Sequence, residues 1–378
     1  MSEHISEGKK VMLYIPFMKF NPLHHLKDQG GIANAFTKIG WETTLVIGQT
    51  MGNMSELNSE IYLTNNTTIN NTSTHFQEIL QFIRILKRAR PKILLMWNVG
   101  FMPSIVGLVL KFYFPFIKYK PEVSILRLDW DGLRKKHHFP RDLMFYLNLK
   151  MANLFFDFVT TETTCGRKRI ASLLPKPDKL SVVPVGIGEL KVKKEETPIK
   201  KERILLSIAR IARYKNIDGM VAVFAKLADK YPDWQLYVIG LVEDKEYFEE
   251  IRSFVTSSGI DGRVHFLGEL PYEKVDEWRN KAPIFVTLSK TESFNLARYE
   301  AIAHGMTVIS SPAGCVEDFG GIVVAKDEKE ALNSICAAIE KFESSGGEVS
   351  KSAISVNTWE DVARMFIELG HRIIPIRD

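Results

Sequence analysis

The sequence predicts an α/β fold in two domains, each a parallel sheet flanked by helices. Three observations point there. Short β-type runs alternate with helix-type segments almost throughout, the pattern of parallel strands joined by helical crossovers. A charged stretch without apolar periodicity, KVKKEETPIKKER at 191–203, interrupts the alternation, which restarts after it. The chain has 378 residues, which suits two domains of roughly 100–200 residues each.

The first domain is expected over 1–190. KKVMLYIP reads as its first strand, residues 30–38 as a helix and ETTLVIG as the second strand. KILLMWN, EVSILRLD and FVTTET continue the series. Residues 51–75 are polar and rich in Asn and Thr, and read as a solvated connection. Their N-x-[ST] patterns at Asn65, Asn66, Asn70 and Asn71 are not accompanied by a secretory signal. After the 191–203 linker, the second domain is expected over 204–356. It opens on the strand ILLSIAR and the amphipathic helix IDGMVAVFAKLADKY. WQLYVIG, VHFLG, IFVTLS and MTVISS supply further strands, and 357–378 carries a last helix.

Hydrophobic residues make up 45% and charged residues 25%, as in an ordinary globular protein. No apolar run reaches the roughly 18 residues of a membrane span. The first ten residues, MSEHISEGKK, lack the apolar core of a signal peptide, so a cytoplasmic location is expected. Cys165, Cys315 and Cys336 match no metal-ligand spacing. Charge is uneven: residues 1–190 hold 24 Lys and Arg against 15 Asp and Glu, and the remainder 26 against 30. A basic first half suits an anionic partner: a membrane surface, a phosphorylated acceptor or nucleic acid. No nucleic-acid motif accompanies the charge, so no nucleic-acid partner is expected.

The strongest chemical pattern lies over 284–318. The strand IFVTLS leads through KTESF into the helix NLARYEAIAHG. The first turn of such a helix has unsatisfied N–H groups and a positive dipole end, so a phosphate or sugar hydroxyl fits at Phe294, Asn295 and Leu296. Glu292 precedes that turn, and Glu300 stands about two turns into the helix. Carboxylates accept two hydroxyl hydrogen bonds, which suits the vicinal diols of sugars and riboses. The same two acids also fit a helix cap and an exposed helix residue.

The run E-x-F-x-L-x-x-x-E-A followed by HGMTVISSPAG resembles the signature of the large retaining GT-B glycosyltransferase family, family four of the sequence classification. SIARIARYKNIDG resembles that family's G-R-L-x-x-x-K-G segment, with Arg210 and Lys215 five apart, and RVHFLGELP resembles the loop that faces the nucleotide base. The resemblance implies two Rossmann-like domains with an interdomain cleft and a C-terminal helix crossing back to the first domain. It implies transfer of a sugar from a UDP- or GDP-linked donor to a glycan or lipid-linked acceptor, with retained anomeric configuration and without a metal or other cofactor. Arg210 and Lys215 would then stabilise the departing diphosphate, Glu292 would read the donor sugar, and Glu300 would hold the ribose. The family usually has Gly where this chain has Asn295, Ala209 and Asn216. The Asn295 side chain is expected to narrow the sugar pocket or to add a hydrogen bond there.

In the first half, Gly30 and Gly31 resemble the family's glycine-rich loop beside the diphosphate. Asp129, in RLDWDG, stands where the family often has a His, and is the candidate for that contact to the donor sugar. Asp129-Trp130-Asp131 also has the form of a metal-binding D-x-D, although no second acidic cluster accompanies it. Two segments, 101–120 and 134–156, combine apolar and aromatic residues with lysines and arginines. They read either as core helices covered by lysine stems or as an amphipathic surface for anionic lipid. His137 and His138 are expected beside an acceptor phosphate or simply exposed. The rival functions are a same-fold sugar-nucleotide epimerase or phosphorylase, and a non-catalytic nucleotide-sugar-binding protein.

Overall fold

The chain divides into two units, Met1–Gly188 with Asn357–Asp378, and Glu189–Val356. The structure, a computed structural model, describes residues 9–20, 28–50, 57, 59–63, 75–97, 99–112, 119–128, 141–188, 201–292, 294–347 and 356–372. Asp129, Trp130, Asp131, His137 and His138 lie outside the described residues.

The first unit is built on a sheet of seven strands: β1 (Lys10–Phe20), β2 (Glu42–Thr50), β3 (Glu60–Leu63), β4 (Ile93–Trp97), β5 (Val123–Leu128), β6 (Phe158–Thr161) and β7 (Leu180–Val182). Every pairing is parallel and the order is β3-β2-β1-β4-β5-β6-β7. The central strands β4 and β5 are buried at every residue, as expected for a parallel sheet covered on both faces. The helices described in this unit are α1 (Asp28–Lys38), α2 (His75–Ala89), α3 (Phe101–Phe112), α4 (Arg141–Phe155) and α5 (Thr164–Ala171), together with a terminal helix, Trp359–His371. β3 corrects the expectation that 51–75 is connection throughout. It is a four-residue edge strand, with Ile61 and Tyr62 only half-buried, and so it shows little periodicity.

At the carboxyl ends of these strands, Arg127 of β5 is 1% exposed. Its Nε and Nη2 donate to Asp28 Oδ2 and Oδ1 at 2.7 and 3.0 Å, and its Nη1 donates to the Val183 carbonyl at 2.8 Å. Trp97 Nε1 donates to Asp28 Oδ2 at 2.9 Å. This one carboxylate therefore ties α1 to β4 and β5.

The second unit has strands β8 (Ile204–Ile208), β9 (Gln235–Ile239), β10 (Val264–Phe266), β11 (Ile284–Thr287), β12 (Thr307–Ser310) and β13 (Ile322–Val324), all parallel, in the order β10-β9-β8-β11-β12-β13. Its helices are α6 (Ile217–Ala228), α7 (Lys245–Ser257), α8 (Tyr272–Lys281), α9 (Leu296–Ala303) and α10 (Glu328–Ser344). Both sheets share a Rossmann-like order in which the winding direction reverses at the centre, between β1 and β4 and between β8 and β11.

The terminal helix starts on a reciprocal cap. Asp361 N–H donates to Thr358 Oγ1 at 3.2 Å, and Thr358 N–H donates to Asp361 Oδ2 at 2.9 Å. Its first residue, Trp359, is 5% exposed and lies over α1. Gly30 and Gly31 sit within the first turn of α1, not in a loop ahead of it. A Cβ on Gly31 would stand 2.5 Å from Trp359 Cε2. Close packing therefore requires the glycine, whatever else it does.

Overpacking of this kind costs roughly 1–3 kcal/mol. Gly31→Ala is expected to destabilise the protein by that amount in urea unfolding. With Trp359→Leu already present, the same change should cost clearly less. An equal cost in both backgrounds would remove the steric account of Gly31.

Candidate functional site

Sheets of this kind bind ligands outside the carboxyl ends of the strands where the order reverses. In the second unit that place lies between the loops after β8 and β11. The loop after β8 runs from Ala209 to a 3-10 turn, Arg213–Lys215, and reaches α6 through Asn216, whose φ is 55°. The loop after β11 runs to Asn295 and enters α9. Lys290 N–H donates to the Tyr214 carbonyl at 2.8 Å and ties the two loops together.

Their side chains meet as well. Lys215 Nζ donates to Glu292 Oε1 and Oε2 at 2.7 and 2.8 Å. The two side chains are only 15% and 8% exposed. Residues 77 positions apart are thus paired at the reversal point, in an ion pair largely removed from water.

Asn295 holds this arrangement. It adopts the left-handed conformation, with φ 62° and ψ 76°. Its Oδ1 accepts from Arg298 N–H at 3.0 Å and caps α9. Its Nδ2 donates to Glu292 Oε1 at 3.1 Å and to Thr287 Oγ1 at 3.2 Å. Glu292 is therefore not the cap of this helix. Both hydrogens of the Asn295 amide are engaged within the loop.

Glu300 belongs to a separate buried cluster. It is 5% exposed, with Oε2 paired to Arg279 and Oε1 accepting from Tyr272 Oη at 3.2 Å. Burial pushes its carboxyl above the usual carboxylate range, against the pull of Arg279 and Tyr272. Asp276 stands 3.3 Å from Arg279 and 2.9 Å from His304 Nε2. Burial works to raise the Asp276 carboxyl, but His304 and Arg279 outweigh it and hold the group below its usual range.

The remaining candidates are spread more widely. Arg210 is exposed and pairs with Glu243 at 2.5 Å, on the β9 side of the loop after β8. It shares the Tyr214 ring with Lys215, the two cations lying 5.6 and 5.4 Å from the ring centroid. Phe294 is buried edge-on against Tyr299 and Phe319. Leu296 is the first residue of α9. Among the described residues, no cluster of three or more His, Cys, Asp or Glu is arranged to hold a metal.

Residues 190–348, which contain all of this geometry, match the family described as Glycosyl transferases group 1. This segment is therefore similar to that family. A lipopolysaccharide core biosynthesis mannosyltransferase of Rhizobium leguminosarum bv. viciae is 30% identical over 135 residues, covering 34% of this chain and 38% of that protein. One component of the human phosphatidylinositol N-acetylglucosaminyltransferase is 24% identical over 167 residues, covering 44% of this chain and 34% of that one. The chain thus spans under half the length of these curated relatives.

Solved structures match over nearly the whole length and show the fold, GT-B. A glycosyltransferase from Rickettsia africae superposes with a TM-score of 0.75 at 13% identity, covering 98% of this chain and 100% of that one. An Anabaena protein in complex with UDP and glucose gives 0.66 at 14% identity, covering 97% and 98%.

The group 1 unit also contains a residue that apolar patterning and motif order do not single out. Arg298 of α9 is 0% exposed. Its Nη1 donates to Ser310 Oγ at 3.0 Å and to the Ala313 carbonyl at 2.9 Å. Its Nη2 donates to the carbonyls of Phe294 and Gly314 at 2.9 and 2.8 Å. The guanidinium lies 4.9 Å from the centroid of the Phe319 ring, and its Nε has no hydrogen-bond partner among the described residues. Burial brings the group down to about 10, so it stays charged at neutral pH. The one signal is positional: Arg298 lies three and four residues before Ala301 and Ile302, on the face of α9 that they bury.

Asn295 and Asn216 both occupy left-handed positions where the family resemblance expects Gly. Asn tolerates this conformation better than other non-glycine residues. Asn295→Gly keeps the backbone but loses the cap, and should cost a few tenths of a kcal/mol. Asn295→Ala adds left-handed strain of roughly 1–2 kcal/mol to a lost cap of about 1. Thermal unfolding should therefore rank wild type, Gly, then Ala. Ala at or above Gly would contradict the conformational role.

Proposed function

We propose that the group 1 unit binds a nucleoside-diphosphate sugar and that the protein transfers the sugar to a glycan or lipid-linked acceptor. The donor is UDP- or GDP-linked, the anomeric configuration is retained, and no metal takes part. The observation that carries this reading is the Lys215–Glu292 pair, held by Asn295 at the reversal point of the sheet.

In this reading, a diphosphate lies over the start of α9, against the backbone of Phe294, Asn295 and Leu296. Lys215 and Arg210 stabilise the negative charge that builds as the diphosphate departs. Glu292 orients the sugar hydroxyls, and Glu300 takes the ribose diol at the oxygen now used by Tyr272. The anomeric carbon–phosphate oxygen bond breaks and a bond to the acceptor oxygen forms on the same face. The acceptor proton passes to the leaving phosphate oxygen. Glu292 is a poor candidate for a covalent nucleophile, because Lys215 and Asn295 already engage its oxygens. Gly30, Gly31 and Asp129 keep the donor contacts that the family resemblance gives them.

The acceptor reading draws on the first unit. Ser104 Oγ of α3 donates to Asn148 Oδ1 of α4 at 2.9 Å, so the two helices lie side by side. They leave Phe101, Phe112, Leu143, Met144 and Leu147 exposed. No helix among the described residues is long and apolar enough to cross a membrane. These side chains fit a peripheral contact with the cytoplasmic face of an anionic membrane, where a lipid-linked acceptor would be presented.

Calorimetry against a panel of nucleotide sugars should find one UDP- or GDP-linked donor, and the product should keep its anomeric configuration by NMR. Glu300→Ala is expected to weaken nucleotide binding at least tenfold. Glu292→Ala should chiefly lower turnover and sugar discrimination. Unchanged activity in both variants would sink these assignments. Sedimentation with anionic liposomes at low salt tests the membrane contact separately, and no binding there refutes it.

A further inference from the structure

Arg298 is fully buried, and among the described residues no carboxylate pairs with it. Its hydrogen-bond partners are three backbone carbonyls and one hydroxyl. The carboxylates that act on it from further away are Glu292 and Glu317. A guanidinium in a low-dielectric interior keeps its field, and here no adjacent anion cancels it.

The carbonyls it binds matter as much as its charge. In a planar trans peptide, C=O and N–H point in opposite directions. Arg298 draws the Phe294 and Ala313 carbonyls inward. It thereby turns the N–H groups of Asn295 and Gly314 to the side away from the buried guanidinium. Both residues have positive φ, 62° and 74°, and neither N–H donates a hydrogen bond among the described residues. These N–H groups sit on the loops after β11 and β12, neighbouring strands of the sheet.

We propose that Arg298 is a positioning residue for an anion, the diphosphate of the donor. It holds the two loops so that the Asn295 and Gly314 N–H groups face the phosphate oxygens, and it places an unpaired positive charge behind them. The inference rests on the nucleotide-sugar reading above and adds to it. The diphosphate would be gripped by backbone donors that a residue outside the site keeps in place.

The test uses the full chain with Arg298→Met and Arg298→Lys. Calorimetry compares UDP and GDP with uridine and guanosine, and thermal unfolding reports folding. Arg298→Met should bind the wild-type nucleoside diphosphate at least tenfold more weakly while nucleoside binding stays within twofold. Arg298→Lys should recover part of the loss by restoring the charge. Equal losses for nucleoside and diphosphate, or no loss at all, would overturn the inference and leave the donor reading standing. Wild-type protein that binds neither diphosphate would overturn both.

A third measurement needs no variant and decides the matter if the substitutions prevent folding. In wild-type protein labelled with ¹⁵N-Asn and ¹⁵N-Gly, the Asn295 and Gly314 amide protons should shift downfield with the diphosphate but not with the nucleoside. The absence of that shift would overturn the role of Arg298.

Discussion

The group 1 unit depends on one backbone constraint, the left-handed turn at Asn295. The chain leaves β11 at Thr287 and must enter α9 at Leu296, delivering a carboxylate to the sheet edge on the way. A non-glycine residue in this conformation costs roughly 1–2 kcal/mol, unless its side chain compensates locally. Asn295 compensates through its amide: one bond starts the helix, one reaches back to Thr287 and one fixes Glu292. Glycine would satisfy the backbone and supply none of these bonds. The departure from the family pattern therefore trades conformational ease for a more firmly held Glu292. Its influence on sugar preference would run through the placement of that carboxylate.

Charge is arranged around this turn in separate groups. Glu292 is matched by Lys215. Glu300 and Asp276 share Arg279, with His304 beside Asp276. Neither group includes Arg298, which draws on carbonyls and a hydroxyl alone. The two acid groups thus have local cations, and the buried remainder near α9 is positive. A region of that sign at the carboxyl end of a parallel sheet suits an anionic ligand.

Much of this was legible in the sequence, and the parts that were not have specific causes. The parallel strands, α9 and the grouping of Lys215 with Glu292 follow from apolar patterning and motif order. The left-handed state of Asn295 follows from no pattern in a single sequence, since Asn is equally at home in caps and turns. Arg298 was hidden because charge is ordinarily read as exposure. Lys201 was hidden for the same reason: it lies in a stretch with linker composition, yet it is 9% exposed and donates to the Arg279 and Ala282 carbonyls at 3.2 Å each. Desolvation pushes its ammonium down to about 8. Gly31 shows a second demand that no local pattern reveals. A glycine pair near a helix suggests a phosphate, but the ring of Trp359, distant in sequence, is enough to require it.

The two units offer an internal comparison, because their sheets share one winding order and each buries an arginine near the carboxyl ends of its strands. In the first unit, Arg127 forks onto the carboxylate of Asp28, which also accepts from Trp97. That cation is neutralised by the chain itself, and the cluster serves to tie α1 to the sheet. In the group 1 unit, Arg298 has no such carboxylate among the described residues, and its carbonyl partners leave its charge uncancelled. Desolvating an unpaired guanidinium opposes folding by several kcal/mol, so a purely structural tie would be better built on the Arg127 plan. On the proposed reading, the difference between the two arginines places the anion demand in the second unit, the one that carries the family match.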